Sequence, residues 1–270
     1  MDLLLWGVFA GMNWMARQST PEVESQLNTW LASERARRRT KQALFGSIVL
    51  TLVLYLVPFG QFLGYPLTLL STLVHELGHG LAAIFVGGDF QSLRIFADAS
   101  GVAQSSGVGG GASRALVSAG GLVGPAVLAG VGFIMARRAG LARAFMAFLG
   151  LSFLLVLALF VRNPFGMAFT GIVGVALVLV AWRSSQTTVQ LTLVFVAVQM
   201  ALSVFSRGDY LFMENAHTGA GLMPSDVSHM AEALGGPYWM WGAVCGFFSV
   251  LVLAGGLWAF MRSTKRKSLP

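Results

Sequence analysis

The sequence predicts an all-α polytopic membrane protein of about six to seven transmembrane helices, with a short membrane-adjacent β-hairpin or strand. Three observations predict it. Of the 270 residues, 56% are hydrophobic and 11% are charged, whereas an ordinary soluble domain is nearer 45–50% apolar and about 25% charged. Mean hydropathy is +0.72. The apolar residues fall into runs of about 20, long enough to cross a bilayer. The net charge of +7 does not indicate nucleic acid, because the basic residues gather at the edges of the apolar runs, where membrane anchoring needs them. A single cysteine, Cys245, excludes an internal disulfide framework.

The elements follow in chain order. Residues 1–15, "MDLLLWGVFAGMNWM", lack a basic start and a clear cleavage site, and they are short for a span. They read as an interfacial or buried segment. Residues 17–42 read as a cationic amphipathic helix on the membrane surface with Trp30 and Leu31 towards lipid, or equally as a solvated basic linker. The first strong apolar run is 43–62, ending near "PFGQFLGYP", where prolines and glycines mark a turn or helix break. A second, about 66–86, stops at Gly87-Gly88. Residues 89–112 alternate loosely in "FQSLRIF" and then turn glycine-rich, which predicts a short hairpin. Spans near 113–136, 142–161, 165–182 and 188–206 follow, then a polar segment at 207–237 and a last span at 238–262. The domain reading is an N-terminal interfacial segment at 1–42, an integral membrane domain at 43–262 and a basic tail at 263–270. Seven spans would put the basic stretch 17–41 opposite 137–143 and 262–267. Positive residues prefer one side, so one segment is expected not to cross, most simply at 57–66.

The chemistry is in "TLLSTLVHELGHGLAAIFVGG", residues 68–88. His75-Glu76-Leu77-Gly78-His79 fits H-E-x-x-H. On a helix, positions i and i+4 share a face, so both imidazoles can reach one metal ion. Glu76, beside the first ligand, is the candidate general base. Ser71 and Thr72 continue the polar stripe, and ionisable groups inside a span are a functional signal by default. A buried His–Glu hydrogen-bond cluster that only packs the bundle is the alternative. A third protein ligand is expected. The candidates lie in the polar segment: Asp209, Glu214, His217 and Asp226. "GLMPSDVSHMAEALGGP" reads as a helix capped by Ser225 or Asp226 and ended by Gly235-Gly236-Pro237. Gly120-x-x-x-Gly124 permits close helix packing. "RNPFG" at 162–166 reads as an inter-helix turn, or as broken backbone offering hydrogen bonds to a substrate or an oxyanion.

"TLVHELGHGLAAIFVGG", the glycine-rich strand region, "AGGLVGP", "RNPFG" and "PSDVSHMAEALG" together resemble the site-2 protease-type zinc metallopeptidases, nearest their compact bacterial and plant branch. The resemblance covers roughly residues 45–260. It implies a Zn²⁺-dependent intramembrane protease, multi-pass in a bacterial inner or plasma membrane, whose partner is a membrane-protein substrate with a transmembrane helix. It also implies that His75 and His79 hold the metal, that Glu76 is the catalytic base and that Asp226 is the third ligand in preference to Asp209. The chain has no L-D-G motif and no N-x-x-P-x-P element, both usual in that family. A catalytically inactive membrane scaffold that keeps the fold is the other class of function open here. A strand edge at 90–96 is expected to hold an unwound substrate segment by β-augmentation.

Overall fold

A computed structural model describes residues 21–56, 60–206 and 210–262. The expected segment at 1–15, the tail at 263–270 and Asp209 lie outside the described residues. The chain divides at Gln42/Ala43 into two compact units. Eight α-helices, a short 3-10 turn at Tyr210–Phe212 and two hairpins are described. Helix α1 is Pro21–Leu56 and α2 is Gly60–Phe85. Strands β1, Asp89–Ile95, and β2, Gly101–Ser106, form an antiparallel hairpin. Four helices follow: α3 Ala112–Met135, α4 Ala139–Leu159, α5 Pro164–Arg183 and α6 Gln186–Ser206. A second hairpin, β3 Asn215–Thr218 with β4 Gly221–Pro224, leads into α7 Asp226–Leu234 and α8 Tyr238–Met261.

Six of the described helices are long and apolar enough to span a membrane: α2, α3, α4, α5, α6 and α8. The expected first span, 43–62, is not among them, and its residues 43–56 continue α1. The expected break at 57–66 lies partly outside the described residues: α1 ends at Leu56 and α2 begins at Gly60. Helix α2 carries Pro66 inside it, which deprives the Phe62 carbonyl of its i+4 donor without ending the helix. The end of α2 does fall at the glycine pair. Gly87 is left-handed (φ +84°), Gly87 N–H donates to the Ile84 carbonyl (3.0 Å) and Gly88 N–H to that of Ala83 (2.9 Å). This is a Schellman closure.

Burial separates the inner helices from the outer ones. The apolar window of α2 is 61% buried, against 28% for α4 and α5 and 22% for α8. Leu73 and Leu77 of α2 pack with Ala126, Ala129 and Phe133 of α3 and Leu193 and Ala197 of α6. Phe148, Leu155, Ile172 and Phe247 point outward, where lipid takes the place of a protein core. At the α2–α3 crossing the backbones touch. A side chain at Gly78 would meet the Gly120 carbonyl oxygen at 2.2 Å, and one at Gly120 would meet the Gly78 oxygen at 2.6 Å. The crossing therefore sits between the two motif histidines.

Strand β1 is paired on both sides. On one edge lies β2. On the other, Leu93 N–H donates to the Phe160 carbonyl (2.8 Å) and Arg162 N–H to that of Leu93 (3.0 Å). Asn163 completes this edge: its Oδ1 accepts from Ile95 N–H (3.1 Å) and its Nδ2 donates to the Ile95 carbonyl (2.6 Å). "RNPFG" is thus a fastener rather than a display of free backbone groups, and the expected docking edge at 90–96 is occupied. The unpartnered edge belongs to β2, whose backbone makes no hydrogen bond among the described residues beyond its pairing with β1. Asn163→Ala, which removes two hydrogen bonds, is expected to cost about 1–3 kcal/mol. Thermal unfolding in detergent measures it, and an unchanged midpoint would mean that β2 alone holds β1.

The second hairpin reaches back to the first. Gly219 N–H donates to Ser100 Oγ (2.8 Å), and Gly219 lies against the Phe96 ring, where a Cβ would come within 2.4 Å. The β1–β2 turn is also tied to α2, because Thr72 Oγ1 donates to the Ala99 carbonyl (2.6 Å) and Tyr65 O–H to that of Ala97 (2.7 Å).

Candidate metal centre

Two candidate ligands come from α2. At 3.6 residues per turn, His75 and His79 project from adjacent turns of one face. His79 Nδ1 lies 2.8 Å from the Val117 carbonyl of α3. An N–H at Nδ1 donates to that oxygen and leaves the Nε2 lone pair for the centre, the outer-shell arrangement that ligand histidines need. His75 is buried and its ring meets that of His79 edge-on.

The third group arrives from α7. Ser225 caps this helix, its Oγ accepting from Ser228 N–H (3.3 Å). With the cap filled by Ser225, Asp226 becomes the first helical residue and its carboxylate is available elsewhere. Its Oδ2 lies 3.1 Å from His75 Nε2 and its Oδ1 3.3 Å from His79 Nε2. Helix α7 is held in place from below by Val227 and Met230, packed with Ala115, Leu122 and Cys245. The chain before it is stitched on by Ser225 N–H and Ser228 Oγ, both donating to the Glu214 carbonyl, and by Ser225 Oγ donating to that of Met213. Burial raises the Asp226 carboxyl's pKa, but with protonated imidazoles facing it the charge on His79 and hydrogen bonds from both rings outweigh that effect and hold the group well below the usual carboxylate range; a bound cation would take the place of those protons.

These three residues could hold a metal ion. The two Nε2 atoms are 3.1 Å apart, and each faces a different oxygen of the Asp226 carboxylate, His75 Nε2 lying 3.1 Å from Oδ2 and His79 Nε2 3.3 Å from Oδ1. Tetrahedral bonds of about 2.0–2.1 Å would set ligand atoms roughly 3.3 Å apart. The residues fit a tetrahedral metal with one position left for another ligand.

Glu76 is buried on the same helix. It faces the first residue of β2: a Cβ on Gly101 would lie 2.6 Å from Glu76 Cγ and 2.8 Å from its Oε1. The unpartnered β2 edge therefore begins beside this carboxylate. Of the other expected ligand candidates, His217 is exposed on β3 and Glu214 is exposed just before it. Neither joins the cluster. His229 is engaged elsewhere, with Arg114 at 3.0 Å, and Arg114 also pairs with Glu232 at 3.2 Å. Val117, Gly101 and Gly121 are the site residues that the sequence alone did not single out. A carbonyl acceptor and a missing side chain leave no chemical signature in a residue string.

A bundle of membrane-length helices around a buried His/His/Asp cluster defines an integral membrane protein with a candidate metal centre. The chain belongs to the Peptidase M50B-like family, the site-2 protease family, which it matches over residues 45–256. That membership supports a membrane metallopeptidase, a hydrolase of peptide bonds. No curated protein and no solved structure matches the chain.

Proposed function

We propose that the protein is an intramembrane zinc endopeptidase that cuts a membrane-spanning substrate, with His75, His79 and Asp226 as zinc ligands and Glu76 as the general base. The observation that carries the reading is the cluster of two imidazole Nε2 atoms 3.1 Å apart, each within 3.3 Å of one oxygen of the Asp226 carboxylate, flanked by the buried Glu76. Two imidazoles and one carboxylate suit zinc, which takes neutral nitrogen and anionic oxygen donors in a tetrahedral set and keeps a fourth position open in catalytic sites. When bound, zinc supplies a Lewis acid that polarises the scissile carbonyl and lowers the pKa of water.

The chain's own residues do the rest. Glu76 accepts the proton of the attacking water and returns it to the departing amine, so one carboxylate serves as base and then as acid. Val117 keeps His79 in the tautomer that offers Nε2 inward. A transmembrane helix hides its scissile carbonyl in its own hydrogen bonds, so the substrate must be unwound at the cut. The β2 edge, beside Glu76, is suited to hold the unwound strand by backbone hydrogen bonds. In a bilayer those bonds cannot come from solvent.

The test uses purified protein reconstituted into lipid vesicles with a transmembrane peptide. Expected are about one zinc per chain, loss of cleavage on chelation and recovery with zinc. A protein that binds zinc yet cuts none of a panel of membrane proteins would favour the scaffold instead. Comparing membrane proteomes of cells carrying wild type or Glu76→Gln would identify the substrate as the full-length protein that accumulates.

A further inference from the structure

The geometry points to two glycines, Gly121 on α3 and Gly101 on β2, as positioning residues that reserve space for the metal-binding nitrogen of His79 and for the carboxylate of Glu76. The inference rests on the hydrolase reading above and deepens it. A Cβ at Gly121 would stand 2.2 Å from His79 Nε2 and 2.3 Å from its Cε1. The imidazole cannot simply step aside, because its Nδ1 is held at 2.8 Å by Val117, one turn earlier on the same helix, and its ring packs edge-on against His75. Positions 117 and 121 thus act as a pair, the first fixing the ring's outer nitrogen and the second leaving room for its inner one. At Gly101 the obstructed atoms are Glu76 Cγ and Oε1, at 2.6 and 2.8 Å, together with Thr72 Cγ2 at 2.8 Å.

Neither glycine is required by its backbone. Both lie outside the positive-φ residues, which include Gly87, Gly107 and Gly111. The requirement is for volume beside the site. Gly124, on the same helix, makes the contrast, since a Cβ there would approach nothing closer than 3.5 Å. Gly120 has another task, the backbone crossing with Gly78.

The two positions should fail differently. Gly121→Ala displaces a ligand, so zinc affinity is expected to fall by about 10–100-fold or more, the range seen when groups that orient a ligand are lost. Gly101→Ala leaves the three ligands untouched, so zinc should remain while kcat falls by about 10²-fold, as for a catalytic group misplaced by an ångström. Gly124→Ala should change neither. Zinc per chain, cobalt absorption spectra and kcat against KM give the readouts.

If Gly121→Ala does not fold, a double variant decides. Removing the imidazole removes the obstruction, so His79→Ala/Gly121→Ala should match His79→Ala in thermal stability, a coupling measured by the double-mutant cycle. An equal cost of Gly121→Ala with and without His79 overturns the assignment at that position. For Gly101→Ala, loss of zinc, or full kcat with zinc bound, overturns it, and its cost in melting temperature should shrink in a Glu76→Ala background. Wild-type protein that holds zinc and cuts, beside a Gly121→Ala variant that does both equally well, overturns this inference alone. Wild type that holds no zinc overturns the hydrolase reading and this inference together.

Discussion

Glu76→Gln is expected to lower the cleavage rate by about 10²–10⁴-fold, the usual contribution of a positioned general base, with zinc content unchanged. Glutamine has nearly the shape of glutamate, so the packing against Gly101 survives. What it lacks is the capacity to accept a proton from water. The ligand triangle of His75, His79 and Asp226 is not touched by the change, so metal analysis and turnover should separate cleanly. Reconstituted protein and a transmembrane peptide followed by mass spectrometry would measure both. Cleavage at the wild-type rate would remove Glu76 from the mechanism, whatever its burial.

Asp226→Ala should instead remove the metal. It deletes the only anionic donor among the three, and it leaves two buried imidazoles 3.1 Å apart with nothing between them. The loss in zinc affinity should exceed the 10–100-fold typical of outer-shell partners, and cleavage should vanish with it. Asp209→Ala, Glu214→Ala and His217→Ala serve as comparisons and should keep zinc. A preparation of Asp226→Ala with full zinc would assign the third ligand elsewhere. Stability carries a second prediction: α7 retains its Val227 and Met230 contacts in this variant, so the protein should still fold, with the deficit confined to the centre.

What could be read in the residue string follows from how local each feature is. The H-E-x-x-H stripe needs one helical turn, and the string carried it whole. The end of α2 at Gly87-Gly88 and the hairpin after it were equally local, each marked by turn glycines. Asp226 is different. By itself the string left it as one of two cap residues and one of four ligand candidates, and only the family resemblance favoured it. The fold settles the cap, which the Ser225 hydroxyl takes, and places Asp226 beside the two histidines. The β3–β4 hairpin went unseen because four-residue strands beginning "NAHT" and "GLMP" show no clear alternation. The second partner of β1 went unseen because Asn163 lies 68 residues from Ile95. Pro66 lies in the stretch that reads as a break, yet α2 runs through it, since a helix can do without one hydrogen bond.

The ligands also set a clock. His75 and His79 lie near the beginning of the bundle, and Asp226 lies roughly 150 residues later, beyond four more membrane-length helices, a separation whose closure cost grows only slowly with length. During synthesis the motif helix therefore emerges long before its third donor. On the proposed assignment, a nascent chain would carry the histidines and the glutamate without a complete centre, and it would not hydrolyse neighbouring membrane segments while being inserted. Catalytic competence would begin only once the second hairpin and α7 had docked. The distance between the proposed ligands would thus work as a safeguard, tying reactivity to the synthesis of most of the chain.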